Sequence, residues 1–160
     1  MDDIDMVRLS VPGTLFYRDL VLRVVASFCR LARLDAQSKQ EASRAPSDEF
    51  DDKVVSAVSE AFNNVAIHGY RGRPPGSVEI ELELIQNGVT IRLLDTGAVF
   101  DSSEEPEAPP SGLPESHMGL FIIRSCMDTV SYRAGNPPAV PNMLTLVKCY
   151  PRRDREAVGR

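Results

Sequence analysis

The run EAFNNVAIHGY, from Glu60 to Tyr70, puts a carboxylate, two amides and an imidazole into an otherwise good helix. Glu60, Asn64 and His68 recur every four residues, so a helix would stand them nearly above one another on one face. Side chains of these types can accept or donate protons and can bind ligands. Each also has an ordinary use: a helix glutamate is often only solvated, and an asparagine can bond its own backbone. The pair of asparagines is the unusual part, since each loses to alanine by roughly half a kcal/mol or more in a helix interior. Such a cost asks for a reason in packing, capping or ligand binding. Two further places hold similar side chains: the turn Asp95-Thr96-Gly97, and the run ESHMGLF, where His117 shortly precedes Gly119.

Recurring apolar positions define the elements that must hold these residues. Leu20, Val21, Val24, Val25, Phe28, Leu31 and Ala32 predict a helix from Thr14 to about Leu34. Pro46, Ser47 and Asp48 open a second helix, whose stripe is Val54, Val55, Val58, Ala61, Phe62 and Val65 and which runs to His68. Asp48, Glu49, Asp51 and Asp52 set negative charge at its positive end, and Gly69 stops it. Residues 77–84 alternate strictly, with Val78, Ile80, Leu82 and Leu84 on one face and Ser77, Glu79, Glu81 and Glu83 on the other. Asn87-Gly88 predicts a hairpin turn, with 89–94 returning antiparallel. An edge strand over 7–13, a helix from Gly119, a strand over 129–134 and a last strand over 143–150 complete the order. A sheet with one apolar and one charged face needs a single covering layer. The fold class is therefore a two-layer α/β (α+β) sandwich and not a doubly wound sheet, whose strands would be apolar on both faces.

A chain of 160 residues suits one domain, over 1–150, with a charged tail at 151–160. No apolar run approaches the roughly 18 residues of a membrane span, and MDDIDMVRLS lacks the basic and apolar regions of a signal peptide. The expected location is cytoplasmic. A net charge of -5 argues against intrinsic nucleic-acid affinity, which needs a basic face. Cys29, Cys126 and Cys149 lie far apart among apolar neighbours, as reduced core cysteines do. The segment 101–117, DSSEEPEAPPSGLPESH, is rich in proline and acid and poor in apolar anchors, the composition of a lid or binding loop.

The EAxxNAxxHxY-like run, DxGxxFD and the GLFxIRxxMDxVxY-like run, in that order behind an initial strand and long helix, resemble the bacterial anti-sigma-factor serine/threonine kinases. These are similar to the wider superfamily of histidine kinases, gyrase-type ATPases and Hsp90 chaperones. The likeness covers nearly the whole chain. It implies a histidine-kinase-like ATPase fold with a mixed, mostly antiparallel sheet, and Mg²⁺-ATP as cofactor. By position, Asn64 would be the Mg²⁺ ligand, a hard amide oxygen supplemented by phosphate and water. Glu60 would be the catalytic residue that takes the hydroxyl proton of a target serine or threonine. Asp95 would accept a hydrogen bond from the adenine amino group, with Gly97 allowing close approach. His117, Gly119 and Leu120 would border the phosphates and Thr145 would join the adenine network, with 101–117 as the ATP lid.

Two departures from the family's motifs stand out. Val99 and His117 occupy positions where glycine is usual, which leaves Gly119 to face the phosphates, aided by the helix N-terminal amides after it. The implied substrate is a small STAS-type anti-sigma-factor antagonist, and the implied client is a sigma factor or similar protein, with a possible homodimer. An adaptor that binds nucleotide without transferring phosphate is the alternative. A detached histidine-kinase domain fits less well, because neither His68 nor His117 precedes the domain on a dimerising helix.

Overall fold

The computed structural model describes residues 6–38, 47–100 and 115–151. Its elements are β1 (Met6–Pro12), a 3₁₀ turn (Leu15–Tyr17), α1 (Arg18–Ser38), α2 (Asp48–Asn64) and a π-helical turn (Val65–Gly69). They continue as β2 (Ser77–Ile85), β3 (Gly88–Asp95), α3 (Glu115–Cys126), β4 (Thr129–Arg133) and β5 (Asn142–Cys149). The strands form one sheet in the order β1-β2-β3-β5-β4.

Every pairing in this sheet is antiparallel, so the expected mixed character is absent among the described strands. β3 and β4 do run in the same direction, joined through α3. β5 lies between them, however, and no parallel ladder forms. The strict alternation of β2 works as expected: Val78, Ile80 and Leu82 are buried beneath the helices together with Val89, Ile91, Leu93 and Leu146. α1 covers them with Val21, Val25, Phe28 and Ala32, and α2 with Val54, Ala57, Val58, Ala61 and Phe62. Each large aliphatic or aromatic side chain buried here stabilises the fold by about 1.5–3 kcal/mol before entropy is counted. The other sheet face carries a charge ladder. Arg92 Nη1 lies 2.8 Å from Glu83 Oε2, and Arg8 Nε 3.2 Å from Glu81 Oε1.

Several boundaries move. The first helix opens with the 3₁₀ turn and continues beyond Leu34 to Ser38. The hairpin turn is Gln86-Asn87, because Gly88 already pairs with Ile85. Gly88 is needed for proximity: a Cβ there would lie 2.1 Å from the Lys148 carbonyl oxygen on β5. α3 begins at Glu115, four residues before Gly119, since acidic Glu115 suits a helix start and nothing from Ser116 to Met118 breaks a helix. Of the cysteines, only Cys29 is buried, and burial pushes its thiol up to about 12; Cys126 is half-buried and Cys149 exposed. Of the expected tail over 151–160 all but Pro151, and of the expected lid over 101–117 residues 101–114, lie outside the described residues, while 115–117 belong to α3.

α2 starts as its sequence requires, with Ser47 Oγ accepting from the Phe50 N–H at 3.4 Å. Its first turn is tied to α1 by Arg33, which bridges Asp48 Oδ1 at 3.1 Å and the half-buried Asp51. Asp51 Oδ1 and Arg33 Nε are buried without a partner among the described residues. An ion pair of this kind costs desolvation that its attraction only partly offsets. Asp51→Ala alone should therefore lower the midpoint of unfolding in urea, because it leaves Arg33 only the exposed Asp48 as a partner. The double change R33M/D51L should recover most of that loss or exceed the parent. If the double variant were as unstable as D51A, the pair would be a net stabiliser and this balance would be wrong.

Candidate functional site

The candidate site lies where the C-terminal end of α2 meets the end of β3 and the body of α3. Glu60 and Asn64 sit one turn apart on α2, and both face Gly119. A Cβ placed on Gly119 would lie 3.0 Å from Glu60 Oε2 and 3.4 Å from Asn64 Oδ1. Any larger residue at 119 would therefore press on both side chains, whereas glycine leaves them against bare backbone. Gly119 lies in the second turn of α3, so its N–H is committed within the helix. The free amides expected after Gly119 belong instead to the turn starting at Glu115. Leu120 follows on α3 and is half-buried. The side chain of His117 lies outside the described residues.

Beyond Asn64 the helix widens into the π turn Val65–Gly69. Single π turns inside helices are uncommon and are frequent at functional sites. The widening breaks the expected column: Glu60 and Asn64 keep their shared face, but His68 turns out to solvent. It also brings buried Gly69 against the turn after β3. A Cβ on Gly97 would lie 2.7 Å from the Gly69 carbonyl oxygen, and that same oxygen accepts from the Ala98 N–H at 2.7 Å. Gly97 is thus required by the backbone of Gly69. Tyr70, buried just after the π turn, fixes the junction, its hydroxyl accepting from the Thr96 N–H at 3.2 Å and donating to the Ser77 carbonyl at 3.3 Å.

Asp95 is buried at the end of β3 on the helix side of the sheet, 7% exposed. Its Oδ1 accepts from the Gly97 N–H at 2.8 Å and from Asn142 Nδ2 at 3.2 Å. Burial raises the Asp95 pKa, and these two donors oppose the rise. Tyr132 of β4, whose hydroxyl accepts from the Phe100 N–H at 2.9 Å, adds an aromatic wall by packing edge-on against Phe100.

Thr145 is not part of this group. Its register partners are Arg92 and Ser131, and Arg92 bonds the glutamates of the charged face, so alternation puts Thr145 on the side of the sheet away from Asp95. The polar residue of β5 that reaches Asp95 is Asn142, its direct partner across the β3–β5 ladder. The strand expected over 143–150 begins one residue earlier, at Asn142. The signal was there, since Asn142, Leu144 and Leu146 alternate onto one face and an asparagine on an apolar face needs partners.

A cavity of about 530 Å³ lies elsewhere, at the opposite end of α2, with Phe50, Lys53, Lys148 and Tyr150 in its wall. None of the residues expected from the sequence to bind nucleotide or metal or to act in catalysis borders it. Its lysines are already paired, Lys53 with Glu49 at 2.7 Å and Lys148 with Asp128 at 3.0 Å.

Residues 13–148 match a family model described as the histidine kinase-like ATPase domain. The chain is 39% identical over 87 residues to an anti-sigma F factor of Clostridium beijerinckii, an alignment covering 52% of this chain and 60% of that relative. It is 33% identical over 82 residues to the serine-protein kinase RsbW of Oceanobacillus iheyensis, covering 46% and 52%. An anti-sigma F factor of Halalkalibacterium halodurans is 34% identical over 82 residues, covering 49% and 56%. The chain spans between 52% and 60% of the length of these curated relatives.

The raised pKa of Asp95 has a stability consequence with a definite sign. The folded chain holds this proton more tightly than the unfolded chain, so the contribution favours folding at low pH and is lost as pH rises through the folded pKa. Asp95→Asn removes that titration while keeping an acceptor oxygen. Without ligand, D95N should therefore melt at or above the parent at pH 7–8, and its advantage should shrink toward pH 4. A D95N variant that melts well below the parent at neutral pH would show that the carboxylate is needed for folding.

Proposed function

The chain belongs to the histidine kinase-like ATPase domain family, and from that premise we propose that it is a serine/threonine protein kinase of a partner-switching system. It binds Mg²⁺-ATP, phosphorylates a small STAS-type antagonist protein in the cytoplasm and, as a homodimer, sequesters a sigma factor or similar client. The observation that carries the reading is the seat at Gly119, where a proton acceptor and an amide oxygen one turn apart face the same bare stretch of backbone. Names of relatives support it, since one is called a serine-protein kinase and others anti-sigma F factors.

The residues present fit the implied cofactor. Among the described residues no cluster of histidine, cysteine and carboxylate side chains gathers to hold a metal by itself. Asn64 would instead hold Mg²⁺ through its amide oxygen together with phosphate and water, the ligand set that ion prefers. Bound Mg²⁺-ATP supplies the phosphoryl group and neutralises charge on its oxygens. Asp95 selects adenine, because it can accept from an amino group where guanine carries an oxygen. Gly119 and Leu120 line the phosphate end. Glu60 takes the proton from the partner's hydroxyl as its oxygen attacks. The new phosphate, of about -1.5 to -2 charges, then weakens the partner's hold on an acidic kinase.

Two substitutions separate binding from chemistry. Glu60→Gln keeps size and hydrogen bonding but loses basicity, so E60Q should bind Mg²⁺-ATP like the parent and transfer phosphate at least tenfold more slowly, a barrier increase of about 1.4 kcal/mol. Asn64→Ala should lose the Mg²⁺ dependence of ATP binding, read by calorimetry with and without the ion. Transfer of label from γ-labelled ATP to an antagonist captured by the ADP-loaded protein is the assay. Unchanged transfer by E60Q would remove Glu60 from the chemistry. Tight binding of ATP and antagonist without any transfer by the parent would establish the adaptor instead.

A further inference from the structure

Asn142 is fully buried and spends its amide completely on the donor side. Nδ2 gives one N–H to Asp95 Oδ1 at 3.2 Å and the other to the Gly97 carbonyl at 3.1 Å, while Oδ1 accepts from the Gly135 N–H at 3.0 Å. Two donors therefore converge on Asp95 Oδ1, the second being the Gly97 N–H. Oδ2 has no partner among the described residues. A carboxylate with one oxygen doubly held and the other without a donor cannot rotate without breaking bonds, so its remaining acceptor keeps one direction. Few side chains could replace asparagine here. Threonine has one donor and cannot serve both Asp95 and Gly97, leucine has none, and aspartate would set two carboxylates side by side.

We propose that Asn142 is the positioning residue of the base-recognising carboxylate: it clamps Asp95 Oδ1 and the Gly97 carbonyl, aims Oδ2 at the amino group of the base, and so sets the preference for adenine. This rests on the reading of Asp95 as the adenine acceptor, and goes beyond it by placing the selectivity in a residue that does not itself meet the base. Its donors also favour the charged form of Asp95 against burial. A ligand amino group is thus met by a preoriented carboxylate, and a base with a carbonyl in that place meets repulsion between acceptors.

The test compares ADP with inosine diphosphate, which has a carbonyl in place of the adenine amino group, by calorimetry on the parent, N142L, N142T, D95N and N142L/D95N. The parent should prefer ADP by at least roughly tenfold, and D95N should lose that preference. N142L should bring the ADP-to-inosine ratio close to one, N142T should lie between, and the double variant should be no worse than D95N alone. A purely structural role would weaken both ligands equally and leave the ratio standing. Should N142L fail to fold, N142T carries the same comparison. An undiminished ratio in the folded variants, with D95N defective, would overturn the role of Asn142 while leaving that of Asp95. A parent that binds neither nucleotide, or a D95N that keeps the preference, would instead overturn the reading of Asp95.

Discussion

The site depends on two glycines in contact. Gly69 ends the π turn behind α2, and Gly97 lies in the turn behind β3, so close that a Cβ on the latter would overlap the former's backbone. The Ala98 N–H closes the contact on the Gly69 carbonyl. Helix and sheet pack face to face through side chains over most of their length, which keeps their backbones well apart. Only where side chains vanish can the two backbones meet. That contact brings the polar end of α2 beside the polar end of β3, and no single element holds both.

Burial makes the arrangement expensive as well as exact in direction. A carboxylate at 7% exposure is disfavoured in its charged form, and the raised pKa of Asp95 records that. The fold offsets part of the cost with the Gly97 N–H and the Asn142 amide, but it places both on the same oxygen. Full compensation would spread donors over both oxygens and leave nothing for a ligand. Partial compensation leaves an acceptor whose best remaining partner is an incoming N–H group. Stability is thereby given up at a carboxylate that keeps one acceptor oxygen without a donor among the described residues.

The layers of the fold were legible in the sequence because alternation and helical periodicity are local. Ser77 to Leu84 announced one buried and one charged face, and the stripe from Val54 to Phe62 announced what would cover it. Glu60, Asn64 and Asp95 were singled out by resemblance, and the fold sets them near the meeting of α2, β3 and α3. What escaped depends on register and on contacts between distant backbones. Thr145 and Asn142 differ by three positions on one strand, and an odd shift reverses the face. Only the ladder, which pairs Asn142 with Asp95, decides between them. The π turn escaped for a similar reason. Nothing in Val-Ala-Ile-His marks a widened turn, which shows itself only when Gly69 has Gly97 to meet.

The two asparagines in the helix are explained by magnitudes. At roughly half a kcal/mol or slightly more each, they cost α2 about 1 kcal/mol in propensity. Val54, Val58 and Phe62 are fully buried on the same helix, and each contributes about 1.5–3 kcal/mol of burial. The ion pairs to Arg33 and the Ser47 cap act on its first turns, away from the asparagines. Helix formation is cooperative, so an anchored N-terminal half carries the chain through positions that would not begin a helix. Glu60 and Asn64 can then be chosen for what they present toward α3, because packing elsewhere on α2 already settles that the helix forms. The opposite arrangement, with weak packing and strong propensity at the site, would let the last turn fray and take the spacing of the two side chains with it.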